Sequence, residues 1–213
     1  MSAERRTYRR ESEETRREAL IAATLELVAE GGGQNATVRA IADRAGVTPG
    51  LIRHYFAGKD ELVRAAYRQF MERMTADSLA ALAGAGEEPA ARLADFVAAS
   101  LRPPVVDPLR LGLWAAFLTT VRRDPEMKAT HRQSYLGYRD ILEGLIAALE
   151  RPGADAAQNH ADAVACNGVI DGLWMEGAAL PEDFDSAELA ATGLRAVGAI
   201  LRVDLRRTEE GTN

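Results

Sequence analysis

Thr48, Gly50, Arg53 and His54 fall within seven residues of one another, and together they supply what is needed to read the edge of a base pair. A threonine hydroxyl can donate to a base edge or a phosphate, and a glycine leaves the backbone bare for close approach. An arginine fork can pair with guanine or grip a phosphate, and an imidazole can contact a base. Tyr55 and Lys59 follow at positions better suited to the phosphate backbone. Over residues 37–59, Arg39, Arg44, Arg53 and Lys59 stand against Asp43 alone. Each charge by itself reads equally well as a solvated helix face, because surface charges are abundant. The combination within one short stretch points to a nucleic-acid surface.

Positioning these side chains requires short helices with defined ends. Leu20, Ile21, Thr24, Leu25, Leu27 and Val28 recur at spacings of three and four, predicting a first helix that stops at Gly31-Gly32-Gly33. Thr37 can cap a second helix with Val38, Ile41, Ala42 and Ala45 on one face, closed by Gly46. Thr48 can cap a third, with Pro49 in its first turn, running through Phe56 and burying Val47, Ile52 and Phe56. Two short helices joined by Ala45-Gly46-Val47 make a helix-turn-helix pattern. Asp60 is expected to cap a long helix from about residue 61, carrying Leu62, Ala66, Phe70 and Met74 at helical spacing. Asp107-Pro108 and Asp124-Pro125 mark two further capped starts, and helices are expected over 125–150, 155–179 and 186–206. No alternating strand pattern occurs, so the predicted fold class is all-α.

The net charge of −6 argues at first against a polyanionic partner, but the acidity is unevenly spread. Residues 1–64 carry 11 Lys and Arg against 10 Asp and Glu, whereas residues 65–213 carry 15 against 22. Hydrophobic residues at 47% and charged residues at 27% suit a folded protein. With no apolar run near the roughly 20 residues needed to span a bilayer and no apolar leader, a cytoplasmic protein without membrane contact is expected. Cys166 stands alone and His54, His131 and His160 are scattered, so neither a metal site nor a bound cofactor is expected. An enzyme reading finds no nucleophile elbow, no HExxH and no complete phosphate loop.

The run Thr37-Val38-Arg39-Ala40-Ile41-Ala42-Asp43-Arg44-Ala45-Gly46-Val47-Thr48-Pro49-Gly50-Leu51-Ile52-Arg53-His54-Tyr55-Phe56, followed by Lys59-Asp60-Glu61-Leu62, resembles the DNA-binding signature of the tetracycline-repressor (TetR) family. The resemblance implies an all-helical dimer with a DNA-binding domain over residues 16–63 and an effector-binding and dimerisation domain over 64–213; the mixed-charge residues 1–15 ahead of it are expected to form a flexible arm. It implies phosphate contacts from Thr37, Arg53, Tyr55 and Lys59, and base contacts from Arg39, Thr48, Pro49, Gly50 and His54. Leu51 and Arg53 depart from the family's frequent Thr and Tyr, which bears on base preference. Arg5, Arg6, Arg9 and Arg10 could enter a minor groove, or belong to a mixed-charge tail with Glu4, Glu11, Glu13 and Glu14.

In the rear of the chain, Trp114, Phe117, Tyr135, Tyr138, Trp174 and Met175, joined by Phe70 and Met74, could line an apolar effector pocket, with Asn167 and Asp171 as polar groups. They could equally fill a helical core. The segments Leu113–Phe117 and Val169–Trp174 are similar to the choline-responsive BetI subgroup, and an aromatic cage with a carboxylate would suit a quaternary ammonium. Ala161, Ala165, Gly168, Gly172, Leu189, Leu194, Val197, Ile200 and Leu201 on the last two helices suggest a homodimer interface. The expected function is a repressor bound to a (pseudo)palindromic double-stranded operator and released by a small molecule. A constitutive architectural DNA-binding protein and a small helical enzyme are the alternatives.

Overall fold

The computed structural model describes residues 2–84 and 86–205, the side chains of residues 2–12 excepted. Among them are nine α-helices: α1 Ser2–Gly31, α2 Val38–Arg44, α3 Pro49–Tyr55, α4 Lys59–Ala80, α5 Pro89–Ser100, α6 Pro108–Val121, α7 Pro125–Ala147, α8 Ala156–Ala179 and α9 Ser186–Leu201. Helix α1 starts well ahead of its apolar stripe. The side chains of Arg5, Arg6, Arg9 and Arg10, and so the minor-groove expectation, lie outside the described residues. No helix among the described residues is long and apolar enough to cross a membrane.

Contacts divide the chain into two compact units, residues 1–71 with 112–132, and residues 72–111 with 133–213. This division differs from one drawn at residue 64, because grouping in space is not grouping along the chain. In the first unit the amphipathic stripe of α1 (Leu20, Ile21, Leu27, Val28) is buried, as are Ile41 and Ala42 of α2, Ile52 of α3, Phe56, and Leu62 and Ala66 of α4. Each fully buried aliphatic side chain contributes about 1.5–3 kcal/mol. Residues 112–132 bring Phe117, which packs on Tyr67 with ring centroids 4.8 Å apart and on Phe70 at 6.4 Å. Arg64 of α4 forks to Asp124 at 3.5 Å and Glu126 at 2.7 Å, at the start of α7.

Local chemistry explains the helix ends. Gly46 takes the left-handed conformation at φ 66° that turns the chain from α2 toward α3. The Thr37 side chain accepts from the Ala40 N–H at 3.1 Å, as a cap should. Asp107 accepts from Arg110 N and Asp124 from Glu126 N and Met127 N, so the two proline-led starts form as expected. Two expectations need correction. Thr48 occupies the cap position of α3 but its side chain makes no cap hydrogen bond. Asp60 does not cap α4, which starts one residue earlier at Lys59; Asp60 and Glu61 instead lie in the first turn, where negative charge complements the helix dipole.

In the second unit α9 packs on α8 and α5. Its inward face is Leu189, Val197 and Leu201, buried with Leu93, Phe96 and Val97 of α5. A Cβ at Gly193 would collide with Leu101, and one at Gly177 with Leu189, so these glycines let the helices approach closely. Leu189, Val197 and Leu201 therefore belong to the protomer's own core and not to a dimer interface.

Ile41 is fully buried between α1 and α3 partners of the first unit. Replacing it with Ala should lower the free energy of unfolding by about 2–5 kcal/mol in urea titration, while leaving far-ultraviolet helicity unchanged at zero denaturant.

Candidate nucleic-acid interface

The outer surface of the first unit follows from what its inner surface buries. Ile52 is 1% exposed and Phe56 3% exposed, and this pair fixes the rotation of α3 about its axis. At about 100° per residue, Gly50, Arg53 and His54 turn away from that pair, whereas Thr48 and Pro49, one turn ahead of Ile52, are open because they stand at the N-terminal end of the helix; all five are exposed. Tyr55 is half-buried and meets His54 edge-on at 4.9 Å between ring centroids. Arg17 of α1 stands over the Phe56 ring at 5.2 Å, adding a cation–π contact at the end of α3. An added Cβ at Gly50 would meet nothing, so the space over this turn is open.

The cations of residues 37–59 are not equivalent. Arg44 is bound bidentately to Glu30, at 2.9 and 3.0 Å, and also to Glu26 at 3.0 Å. These hydrogen bonds hold the Glu30 carboxyl below its usual range and raise Arg44 further. Arg44 therefore clamps α2 to α1. Arg39 lies 3.9 Å from Asp43 with both side chains largely in water, an arrangement worth about 0–1 kcal/mol. Lys59 reaches toward the Gly33 carbonyl at 3.5 Å, and Thr37, though capping, remains exposed. Thr48, without a cap bond, keeps its hydroxyl uncommitted to the helix start.

The sequence-predicted effector residues divide between the two units: Phe70, Trp114 and Phe117 belong to the first, and Met74, Tyr135, Tyr138, Asn167, Asp171, Trp174 and Met175 to the second. Phe70 and Phe117 stack in the first unit with Tyr67, whose hydroxyl is 2.5 Å from His131 Nδ1. Burial pushes the Tyr67 phenol up and the His131 imidazole down, favouring the neutral form of both. Trp114 is half-buried on α6 and Met74 half-buried on α4. In the second unit, Tyr135 donates to Asp171 Oδ2 at 2.5 Å, and Asn167 Nδ2 donates to the same carboxylate at 2.9 Å and to the Tyr135 hydroxyl at 2.7 Å. Asn167 Oδ1 is buried and has no hydrogen-bond partner among the described residues. Tyr138 is bonded to Ser100, which donates onward to the Phe96 carbonyl, and burial, with Asp171 and Tyr135 adding to it, pushes its phenol up. Trp174 spends its indole N–H on the Val105 carbonyl at 2.9 Å. Met175 is 43% exposed, one residue and about 100° of turn from the buried Trp174.

Arg64, Tyr67 and His131 were missed by sequence reasoning, and no local signal could have found them. Their partners lie 60 and more residues away, and a lone His or Arg at helical spacing carries no mark of its contact.

Residues 20–66 match the bacterial regulatory proteins of the tetR family, and residues 89–202 match the C-terminal part of BetI-type transcriptional repressors. The HTH-type transcriptional regulator BetI 2 of Chromohalobacter salexigens is 36% identical over 180 residues, covering 83% of this chain and 84% of that protein. A crystal structure of a candidate transcriptional regulator from Pseudomonas aeruginosa PAO1 is similar at a TM-score of 0.80 and 33% identity, covering 91% and 94% of the two chains. A candidate regulator from Saccharomonospora viridis in complex with choline shares the fold at a TM-score of 0.68 and 17% identity, covering 83% and 92%.

Asp171 provides a test of the triad. Burial raises its carboxyl, and the hydrogen bonds from Tyr135 and Asn167 only partly oppose this. Because the folded state then holds this proton more tightly than the unfolded state, the stability linked to Asp171 is full below about pH 4, the ordinary carboxylate value, and falls as pH rises to the raised folded value. Asp171→Asn, neutral at every pH and still able to accept from Tyr135, should show a flatter dependence of Tm on pH above 4 than the wild type.

Proposed function

We propose that this chain, which belongs to the bacterial tetR family of regulatory proteins and carries the C-terminal body of its BetI-type repressors, represses transcription as a dimer that a small molecule releases from its operator. The observation that carries the reading is the outward face of α3, where Thr48, Pro49, Gly50, Arg53 and His54 are exposed while Ile52 and Phe56 are buried. Such a face, small and polar toward the start of the helix, fits a major groove. Arg39, Thr48, Pro49, Gly50 and His54 are assigned to base edges, and Thr37, Tyr55 and Lys59 to phosphates, in a DNA-binding domain over residues 16–63. The family match over residues 20–66 supports that extent.

The remaining chain is assigned to dimerisation and effector binding. Val164, Gly168, Met175 and Ala179 follow one another at spacings of four, seven and four along α8, all exposed, and Ala161 and Ala165 flank them. On α9 an exposed groove of 610 Å³ is lined by Ala191, Leu194, Arg195, Gly198, Ala199 and Arg202 with the residues that follow. Two copies of these small-residue faces form an isologous interface, setting the two recognition helices on half-sites of a (pseudo)palindromic operator about 34 Å apart. The Tyr135–Asn167–Asp171 triad supports polar recognition of the effector between α7 and α8. Choline, held by the Saccharomonospora viridis protein, is the first compound to try. Effector and operator then oppose one another through a two-state dimer, each weakening the other by the same factor.

Fluorescence anisotropy should detect salt-sensitive, sequence-selective binding to duplexes drawn from the upstream region of the chain's own gene; equal affinity for every duplex at 150 mM salt would defeat the reading. Gly50→Ala, which adds a Cβ in open space and replaces a helical glycine, should raise stability by about 0.5–1 kcal/mol yet weaken operator binding. Val164→Asp should shift the sedimentation profile from dimer to monomer and cost operator affinity with it.

A further inference from the structure

Arg53 is the one cation of the 37–59 stretch that the described residues leave without an acceptor. Arg44 is held by Glu26 and Glu30, Arg39 leans on Asp43 and Lys59 on the Gly33 carbonyl. Arg53 cannot be turned inward, because rotating α3 to bury it would bring out Ile52, now 1% exposed. The guanidinium is thus presented outward with all five donors available, on the same face as Pro49 and Gly50.

Its surroundings decide what it can reach. A helical side chain leans toward the N-terminus, over the residues three and four positions earlier. For Arg53 those are Gly50, which has no side chain, and Pro49, whose ring is short. The fork therefore extends over the barest part of the recognition helix, where the helix backbone can come nearest the floor of the groove. The positions that suit phosphates stand at the margins, at Thr37 ahead of α2 and at Tyr55 and Lys59 beyond the middle of α3. In the major groove only guanine shows two adjacent acceptors, O6 and N7, to match two parallel N–H donors.

From this geometry we infer that Arg53 is a specificity-determining residue that reads one guanine in each half-site through a bidentate pair, an assignment that rests on the DNA-binding function proposed above. Bound duplexes are selected from a random pool by the full-length wild type and by Arg53→Ala and Arg53→Gln, each checked for helicity and Tm. The wild type should return a motif with a guanine in each half that Arg53→Ala no longer requires, the rest of the motif being kept. Arg53→Ala should bind the wild-type motif roughly 5- to 150-fold more weakly, and Arg53→Gln should turn the same position toward adenine or leave it open. Replacing that guanine with 7-deazaguanine should weaken the wild type and leave Arg53→Ala unaffected. A loss that is equal on every sequence and lowers the salt slope by about one would make Arg53 a phosphate contact and overturn the inference. Unchanged selection by Arg53→Ala would overturn it as well. A wild type that selects no motif would instead refute the DNA-binding function itself.

Discussion

The burial of Ile52 and Phe56 beneath α3 is the constraint on which the presentation of every candidate recognition residue depends. These two side chains, with the apolar stripe of α1 and Ile41 of α2, fix one face of a seven-residue helix that has too few hydrogen bonds to hold itself. Each contributes about 1.5–3 kcal/mol by leaving water, against at most about 1 kcal/mol for an exposed ion pair such as Arg39–Asp43. Burial therefore sets the angle of the helix, and the charges adapt to it. Once the inner face is settled, Gly50, Arg53 and His54 have nowhere to point but outward, and Thr48 stands open at the start of the helix.

A protein of net charge −6 can carry a face for a polyanion because electrostatics acts locally. At physiological ionic strength charges are screened over roughly 8 Å, so acids elsewhere on the chain bear little on the surface of α3. Nearby acids do matter, and they are used selectively. Glu26 and Glu30 take Arg44 out of the DNA-facing set and make it a clamp between α1 and α2, so the local excess of cations read from sequence overstates what is available outward. Arg53 gains importance by the same reckoning.

The second unit uses small residues in two opposite ways. Gly177 and Gly193 face inward, where a Cβ would strike Leu189 and Leu101, and so permit close packing of α8 and α9 within the protomer. Val164, Gly168 and Ala191 face outward, leaving an apolar surface with no partner in a single chain. Between α7 and α8, the Tyr135–Asn167–Asp171 triad places a carboxyl where burial disfavours its charge. Such a group is held in place by its donors and responds to any cation or proton brought near it.

What the amino-acid sequence by itself determined is local: the helical period, the caps at Thr37, Asp107 and Asp124, the turn at Gly46, and the division of α3 into buried Ile52 and Phe56 and exposed Arg53 and His54. Each of these depends on residues within about four positions, a range over which backbone sterics and amphipathicity are legible. The tertiary structure alone decided the pairing of Arg44 with Glu26 and Glu30, the fork from Arg64 to Asp124 and Glu126, and the grouping of residues 112–132 with the first unit. It also decided that Leu189 and Val197 pack inside while Met175 stands outside, and that the Thr48 hydroxyl caps nothing. Those outcomes are choices among many chemically equal partners far apart in sequence, and only the packing of the folded chain selects one.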